Sequence, residues 1–260
     1  MRRTCSQAKP LRRKSPRANL LRLPRKLAAA FSLAALSCLL PGCQSITGSP
    51  SLSQIRIIDA SPNAPGLDIY QGTSAIAYNL GFGTITSYVP VVPGTYSISA
   101  DTSNTRTQLV SSTARIGAAQ QYTVLISNVA ASLQEIVLTD QSSAAPTGEV
   151  SFRFIDEATQ IGAVDVYLVP KGAKLADVNP FITGITFSTV NGYLTLPVGD
   201  YAVAILASGT TTALYTGNVV NYSAGSARTF IILDEQVLNK PAATVITADD
   251  YDSPTALPAS

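Results

Sequence analysis

From residue 55 onward, short runs of alternating apolar and polar positions recur along the chain. Ile55-Arg56-Ile57-Ile58, Leu67-Asp68-Ile69-Tyr70, Tyr96 to Ala100 and Gln121 to Ile126 each read as a half-buried strand. Ala75 to Leu80, Thr84 to Val92, Gln108 to Arg115 and Gln134 to Thr139 read as further extended segments, with Pro, Gly, Asn and Ser marking turns between them. About seven strands in roughly 85 residues is the density of a two-sheet β domain.

The pattern occurs twice. Phe82, Tyr88, Gly94 and Tyr96 return as Phe187, Tyr193, Gly199 and Tyr201, each displaced by 105 positions, and Thr84 returns as Thr189. Ahead of that frame, Arg56, Asp59, Asp68 and Tyr70 return as Arg153, Asp156, Asp165 and Tyr167 at an offset of 97. Eight extra residues therefore lie between Tyr167 and Phe187, near Lys171 to Pro180, where a helical turn on a loop is expected. Further on, Tyr122 aligns with Phe230 and Val137 with Val245, both at 108. The expected fold is all-β: two tandem immunoglobulin-like antiparallel β-sandwiches at residues 54–143 and 148–248. Gly94 and Gly199 are expected at tight turns, and the recurring tyrosines in cores or corners. Residues 249–260 read as a disordered tail.

Charge divides the chain sharply. Residues 1–26 carry ten of the eighteen Lys and Arg, and no acid precedes Asp59. From Cys43 onward, 8 basic and 16 acidic residues leave a net charge of −8. An acidic body excludes nucleic acid as the expected partner, since that footprint is basic. The basic head leads into an uncharged apolar run, Leu27 to Leu40. Its 14 residues fall short of the ~20 that span a bilayer and suit an export signal.

Leu40-Pro41-Gly42-Cys43 then resembles the lipobox of bacterial lipoproteins, with Pro41 departing from the usual small residue. The resemblance implies cleavage after Gly42 (signal peptide 1–42) and lipid attachment at Cys43. Several acyl chains there would hold the protein on a membrane. By the same resemblance Gln44, in place of a retention Asp, points to the outer membrane in a Gram-negative host. Residues 43–53 are polar and read as a tether. Cys5 and Cys38 fall in the removed segment, so no disulfide forms within one mature chain.

Ser61-Pro62-Asn63-Ala64-Pro65, Asp68-Ile69-Tyr70, Phe82-Gly83 and Pro93-Gly94-Thr95-Tyr96 together resemble the DUF4397 family of bacterial exported domains, more weakly again in the second repeat. Asp59 stands where that family usually has His, and Asn63 where it has Asp. The resemblance implies a β-sandwich outside the cytoplasm and supplies no reaction.

The chemistry left to the chain is narrow. With no His anywhere and no thiol beyond Cys43, triads and His/Cys zinc sites are excluded. Asp59 with Asp68, or Asp156 with Asp165, are the candidate carboxylate pairs, and Asp249, Asp250 and Asp252 the candidate calcium ligands. The preferred reading makes these Asp residues turn caps or solvated, with Arg56 and Arg153 as cross-strand partners of the repeat-one and repeat-two acids. The sequence thus predicts a non-enzymatic, lipid-anchored envelope protein without cofactors or metals. Its expected partners are the membrane and an envelope glycan or protein. The alternative is a carboxylate-dependent hydrolase of the envelope.

Overall fold

The computed structural model describes residues 51–236 and 242–252, all inside one compact unit spanning Pro50–Ser260. The signal segment, Cys43, most of the tether and residues 253–260 lie outside the described residues.

Two modules of duplicated topology make up the unit. In module one, β1 (Ser53–Asp59), β4 (Val89–Val91), β7 (Gln121–Ser127) and β8 (Gln134–Thr139) form one sheet in the order β4-β1-β7-β8. β2 (Leu67–Gln71), β3 (Ser74–Leu80), β5 (Gly94–Thr102) and β6 (Gln108–Ile116) form the other, in the order β3-β2-β5-β6. Module two repeats this plan. β9 (Glu149–Asp156), β12 (Thr189–Val190), β13 (Leu194–Pro197), β17 (Ala227–Asp234) and β18 (Ala243–Tyr251) form its first sheet. β10 (Val164–Pro170), β11 (Ile182–Ile185), β14 (Gly199–Ala207), β15 (Ala213–Thr216) and β16 (Val220–Tyr222) form its second. A 3-10 turn at Leu175–Asp177 occupies the extra residues of module two, as the sequence suggests.

Side-chain alternation builds a core between the two sheets of each module. Ile55 and Ile57 of β1 and Val124 and Ile126 of β7 face Leu67, Ile69 and Ile98 across module one. Val150, Phe152, Phe154, Phe230 and Ile232 do the same against Val164, Val166, Val203 and Ile205 in module two. The Phe154 and Phe230 rings stack at 4.9 Å, replacing aliphatic contacts of module one.

Several expectations need correction. β1 with β7, and β9 with β17, are parallel pairs, so the first sheet of each module is mixed, while the second is antiparallel throughout. The strand expected over Thr84 to Val92 shrinks to an isolated bridge at Ile85 and the short β4, because this segment carries the chain across to the β1 sheet. Gly94 and Gly199 open strands β5 and β14 instead of turning. Their missing side chain matters nonetheless: a Cβ on Gly94 would sit 3.0–3.1 Å from the Tyr96 ring. Tyr96 and Tyr201 fold back there to donate to Val92 O and Pro197 O, at 2.9 and 3.0 Å, a corner role. Asp249 to Tyr251, expected in the tail, finish β18.

Candidate functional site

The outward faces of the β1–β7 and β9–β17 sheets pack on each other. Parity puts Arg56 and Ile58 on the face of β1 opposite its core residues, and Arg153 and Ile155 likewise on β9. Ile58, Ala60 and Leu125 of module one meet Ile155, Ile231, Leu233 and Ala248 of module two in a third apolar cluster.

At the centre of this seam two arginines cross over. Arg56 of module one pairs with Asp250 of module two, and Arg153 of module two pairs with Asp140 of module one at 2.5 Å. Most of the surrounding contacts are duplicated too, although Arg56 also lies 3.6 Å from Asp140 with no equivalent between Arg153 and Asp250. Arg56 Nε donates to Thr123 Oγ1 at 2.8 Å and Arg153 Nε to Thr229 Oγ1 at 2.9 Å. Thr123 donates to Asp140 at 2.6 Å and Thr229 to Asp250 at 2.7 Å. Tyr88 and Tyr193 donate to the same two carboxylates at 2.7 and 2.9 Å, and each ring lies 4.7 Å beneath its own module's guanidinium. Arg56 Nη1 and Arg153 Nη1 donate to the carbonyls of Asp249 and Thr139. The clamp has local two-fold symmetry, and both arginines and both acids are buried.

Magnitudes separate the roles of the two parts. Burying an Ile or Leu contributes about 1.5–3 kcal/mol, whereas a buried ion pair roughly breaks even against desolvation. The apolar ring therefore supplies the adhesion, and the clamp fixes the register in which it closes.

The other sequence candidates are dispersed. Arg56 and Arg153 do not pair with Asp59 and Asp156. Those acids accept the amides of Ser61 and Ala158 at the strand ends, each leaving one oxygen without a partner. Asp68 and Asp165 sit on the other sheet of each module and cap loops, Asp68 from Asn79 N and Ser103 Oγ, Asp165 from Gly184 N, Gly209 N and Ser208 Oγ. Hence neither proposed carboxylate pair converges on shared space. Asp249 and Asp252 bind Arg228 on the surface, and among the described residues no group of acids could hold a metal. Tyr88 and Tyr193, expected in core or corner, belong to the seam. Asp140, Thr123 and Thr229 were missed by sequence; the only signal for them was two arginines on otherwise apolar strands.

Environment sets the acids apart. Burial pushes Asp59 up to about 6, against the Ser61 amide. Burial likewise raises Asp156 to about 7, with Asp234 adding to it, and Glu157 to about 7, with Asp156 adding to it. Ser127 of module one faces Glu157 and favours its charged form, but outside hydrogen-bond geometry, so both Glu157 oxygens stay without a partner. The Ser103 hydroxyl and Asn79 amide hold Asp68 low. Burial works against Asp165, but its three donors outweigh it and hold that carboxyl low as well.

Two concavities accompany these features. One, of about 370 Å3, opens beside Arg56 between Thr86–Tyr88 and Thr247–Asp249; all three guanidinium nitrogens at its base already donate within the protein. The other, of about 350 Å3, lies on the outer face of β10 over Tyr167.

No curated protein matches the chain. Among solved structures, the carbohydrate-binding module CBMbc (family CBM26) of Eubacterium rectale Amy13K, determined with maltoheptaose, is 12% identical. It covers 78% of this chain and 98% of its own at a TM-score of 0.22. A protein described as a cell adhesion protein from Bacteroides ovatus ATCC 8483 is 11% identical, covering 80% and 100% at a TM-score of 0.21. Scores of that size carry neither fold nor ligand across. The family model named "Domain of unknown function (DUF4397)" matches residues 53–167, all of module one together with β9 and the start of β10, so a DUF4397-like domain is present over this part of the chain.

Proposed function

We propose that this chain is a lipid-anchored, non-catalytic protein of the cell envelope whose two immunoglobulin-like modules, at about residues 54–143 and 148–248, act as one binding or structural unit. The observation that carries the reading is the clamped seam. It consumes the inner sheet of each module and leaves both outer sheets facing away from it. The tyrosine corners at Tyr96 and Tyr201 support the immunoglobulin-like description. Residues 1–42 serve as the signal, Cys43 as the lipid attachment site, and Gln44 favours the outer membrane of a Gram-negative host. A protein or glycan of the envelope is the partner. The hydrolase reading gains nothing from the geometry, because its carboxylates cap separate loops.

Two measurements test this. Cys43→Ser is expected to move the protein from the membrane to the soluble fraction and to abolish palmitate labelling; unchanged fractionation refutes the anchor. Cross-linking and capture from intact envelopes with the chain from Cys43 onward is expected to return a saturable partner, and its absence refutes binding.

A further inference from the structure

The clamp does not tell one module from the other. Arg56 and Arg153, Thr123 and Thr229, Asp140 and Asp250, and Tyr88 and Tyr193 are the same residue types on matching strands. A module-one face set against a second copy of itself would bring each Arg56 to the other's Asp140. Ile58 and Leu125 would meet their own kind as readily as Ile155 and Ile231. Faces that complement themselves in this way build symmetric dimers. The clamp alone therefore leaves the choice of partner open.

Two positions at the far ends of the seam strands differ in kind. Ala60 follows β1 where Glu157 follows β9, and Ser127 closes β7 where β17 has Leu233. All four are buried, at most 1% exposed. Across the seam Glu157 faces Ser127, while Ala60 shares the apolar cluster with Leu233. Trading unlike pairs of modules for like ones keeps every residue and changes only its neighbour. Glu157 would then meet Leu233, losing the hydroxyl that faces it for an aliphatic wall, and a buried carboxyl is costly there. Ala60 would meet Ser127, small against small, and forfeit the contacts that Leu233 now makes. The remaining differences, Leu125 with Ile231 and Leu138 with Ala248, exchange one apolar side chain for another.

We propose that the seam is a pairing surface for unlike modules, filled by module two of the same chain or of a second copy, and that Glu157 together with Leu233 turns a like module away. The inference goes beyond the envelope reading and needs neither the anchor nor a ligand. Glu157, both oxygens without a partner, is a poor contact in the right pair and a worse one in the wrong pair, which is how discrimination by repulsion works. Two copies can then join only by trading modules.

The test uses the chain from residue 43 carrying Cys43→Ser, with a protease site inserted between the exposed Ser143 and Ala144. The chain is folded whole and then cut, which leaves the seam to hold the modules. Unlabelled and isotope-labelled preparations are mixed in concentrated solution at pH 8, and native mass spectrometry counts the pairs. Unlike pairs are expected, including pairs of mixed label, with like pairs at least about tenfold below the random proportion. Glu157→Ala with Leu233→Ser gives module two the residues of module one and is expected to raise its like pairs about tenfold. In the uncut chain, Ser127→Leu sets a leucine against Glu157, and amide exchange along β7 and β9 is expected to quicken at least about tenfold. Adding Glu157→Ala rebuilds the Ala60 and Leu233 arrangement and is expected to restore slow exchange. Like pairs at the random proportion, separated modules without pairs, no pairs of mixed label, or like pairs still rare in the double variant overturns the proposal. So does a Ser127→Leu chain that exchanges like its parent, or one that Glu157→Ala fails to rescue.

Discussion

Glu157 stands where module one has Ala60, one residue past the matched pair Asp59 and Asp156. Across the seam it meets Ser127, whereas Ala60 lies in the apolar cluster with Leu233, the counterpart of Ser127. One half of the seam is thus apolar where the other holds an acid. Because the folded values of Asp156 and Glu157, about 7, lie above ordinary carboxylate values, the folded chain binds those protons more tightly than the unfolded chain. Their contribution to stability is complete below about pH 4 and is lost as pH rises through about 7. Asp68 and Asp165 are shifted the other way and act only at lower pH. Thermal midpoints are therefore expected to be higher at pH 5 than at pH 8. Asp156→Asn or Glu157→Gln should flatten that slope and gain about 2–4 kcal/mol at pH 8. A midpoint that rises toward pH 8, or variants that keep the wild-type slope, would contradict this. None of it was legible beforehand: a sequence shows Glu157 beside Asp156 but not the burial that raises them.

At the level of strands, alternation told which residues share a face but not how far a strand had slid. The structure pairs Ile55 with Tyr122 but Phe152 with Arg228, and Thr123 and Thr229 play the same part in the clamp. The true offset there is 106, not the 108 that aligned Tyr122 with Phe230. β7 to β8 and β17 to β18 set Leu138 opposite Thr123 and Ala248 opposite Thr229, so Val137 corresponds to Thr247, not Val245. Both slips are of two residues, which leaves every side chain on its original face and so escapes a period-two pattern. The repeated frame itself was readable because Gly94 with Tyr96, and Gly199 with Tyr201, need one another sterically. Strand faces also decide the worth of the clamp. Arg153→Met leaves Asp140 buried with the Tyr88 and Thr123 hydroxyls but no cation closer than Arg56 at 3.6 Å, and is expected to cost about 3–5 kcal/mol in urea unfolding. Adding Asp140→Leu should recover much of that loss; a single variant within ~0.5 kcal/mol of wild type would show the clamp to be idle.

For the molecule as a whole, the sequence predicted two modules each with its own core, and the structure supplies both together with a third cluster between them. That cluster was invisible because Ile58, Leu125, Ile155 and Ile231 look like core residues of their own strands. Only their parity, opposite to Ile57 and Val124, marks them as facing another module. With the seam buried, calorimetry is expected to give one cooperative transition whose van't Hoff and calorimetric enthalpies agree; two resolved transitions would mean the modules melt independently. The short connection from Gln141 to Gly148 gives the crossed arginines a further consequence. Two self-complementary surfaces fused in one chain meet at an effective concentration in the millimolar range. Pairing that would otherwise dissolve on dilution becomes first-order, and a single tethered copy keeps its sticky faces occupied even where no neighbour is present.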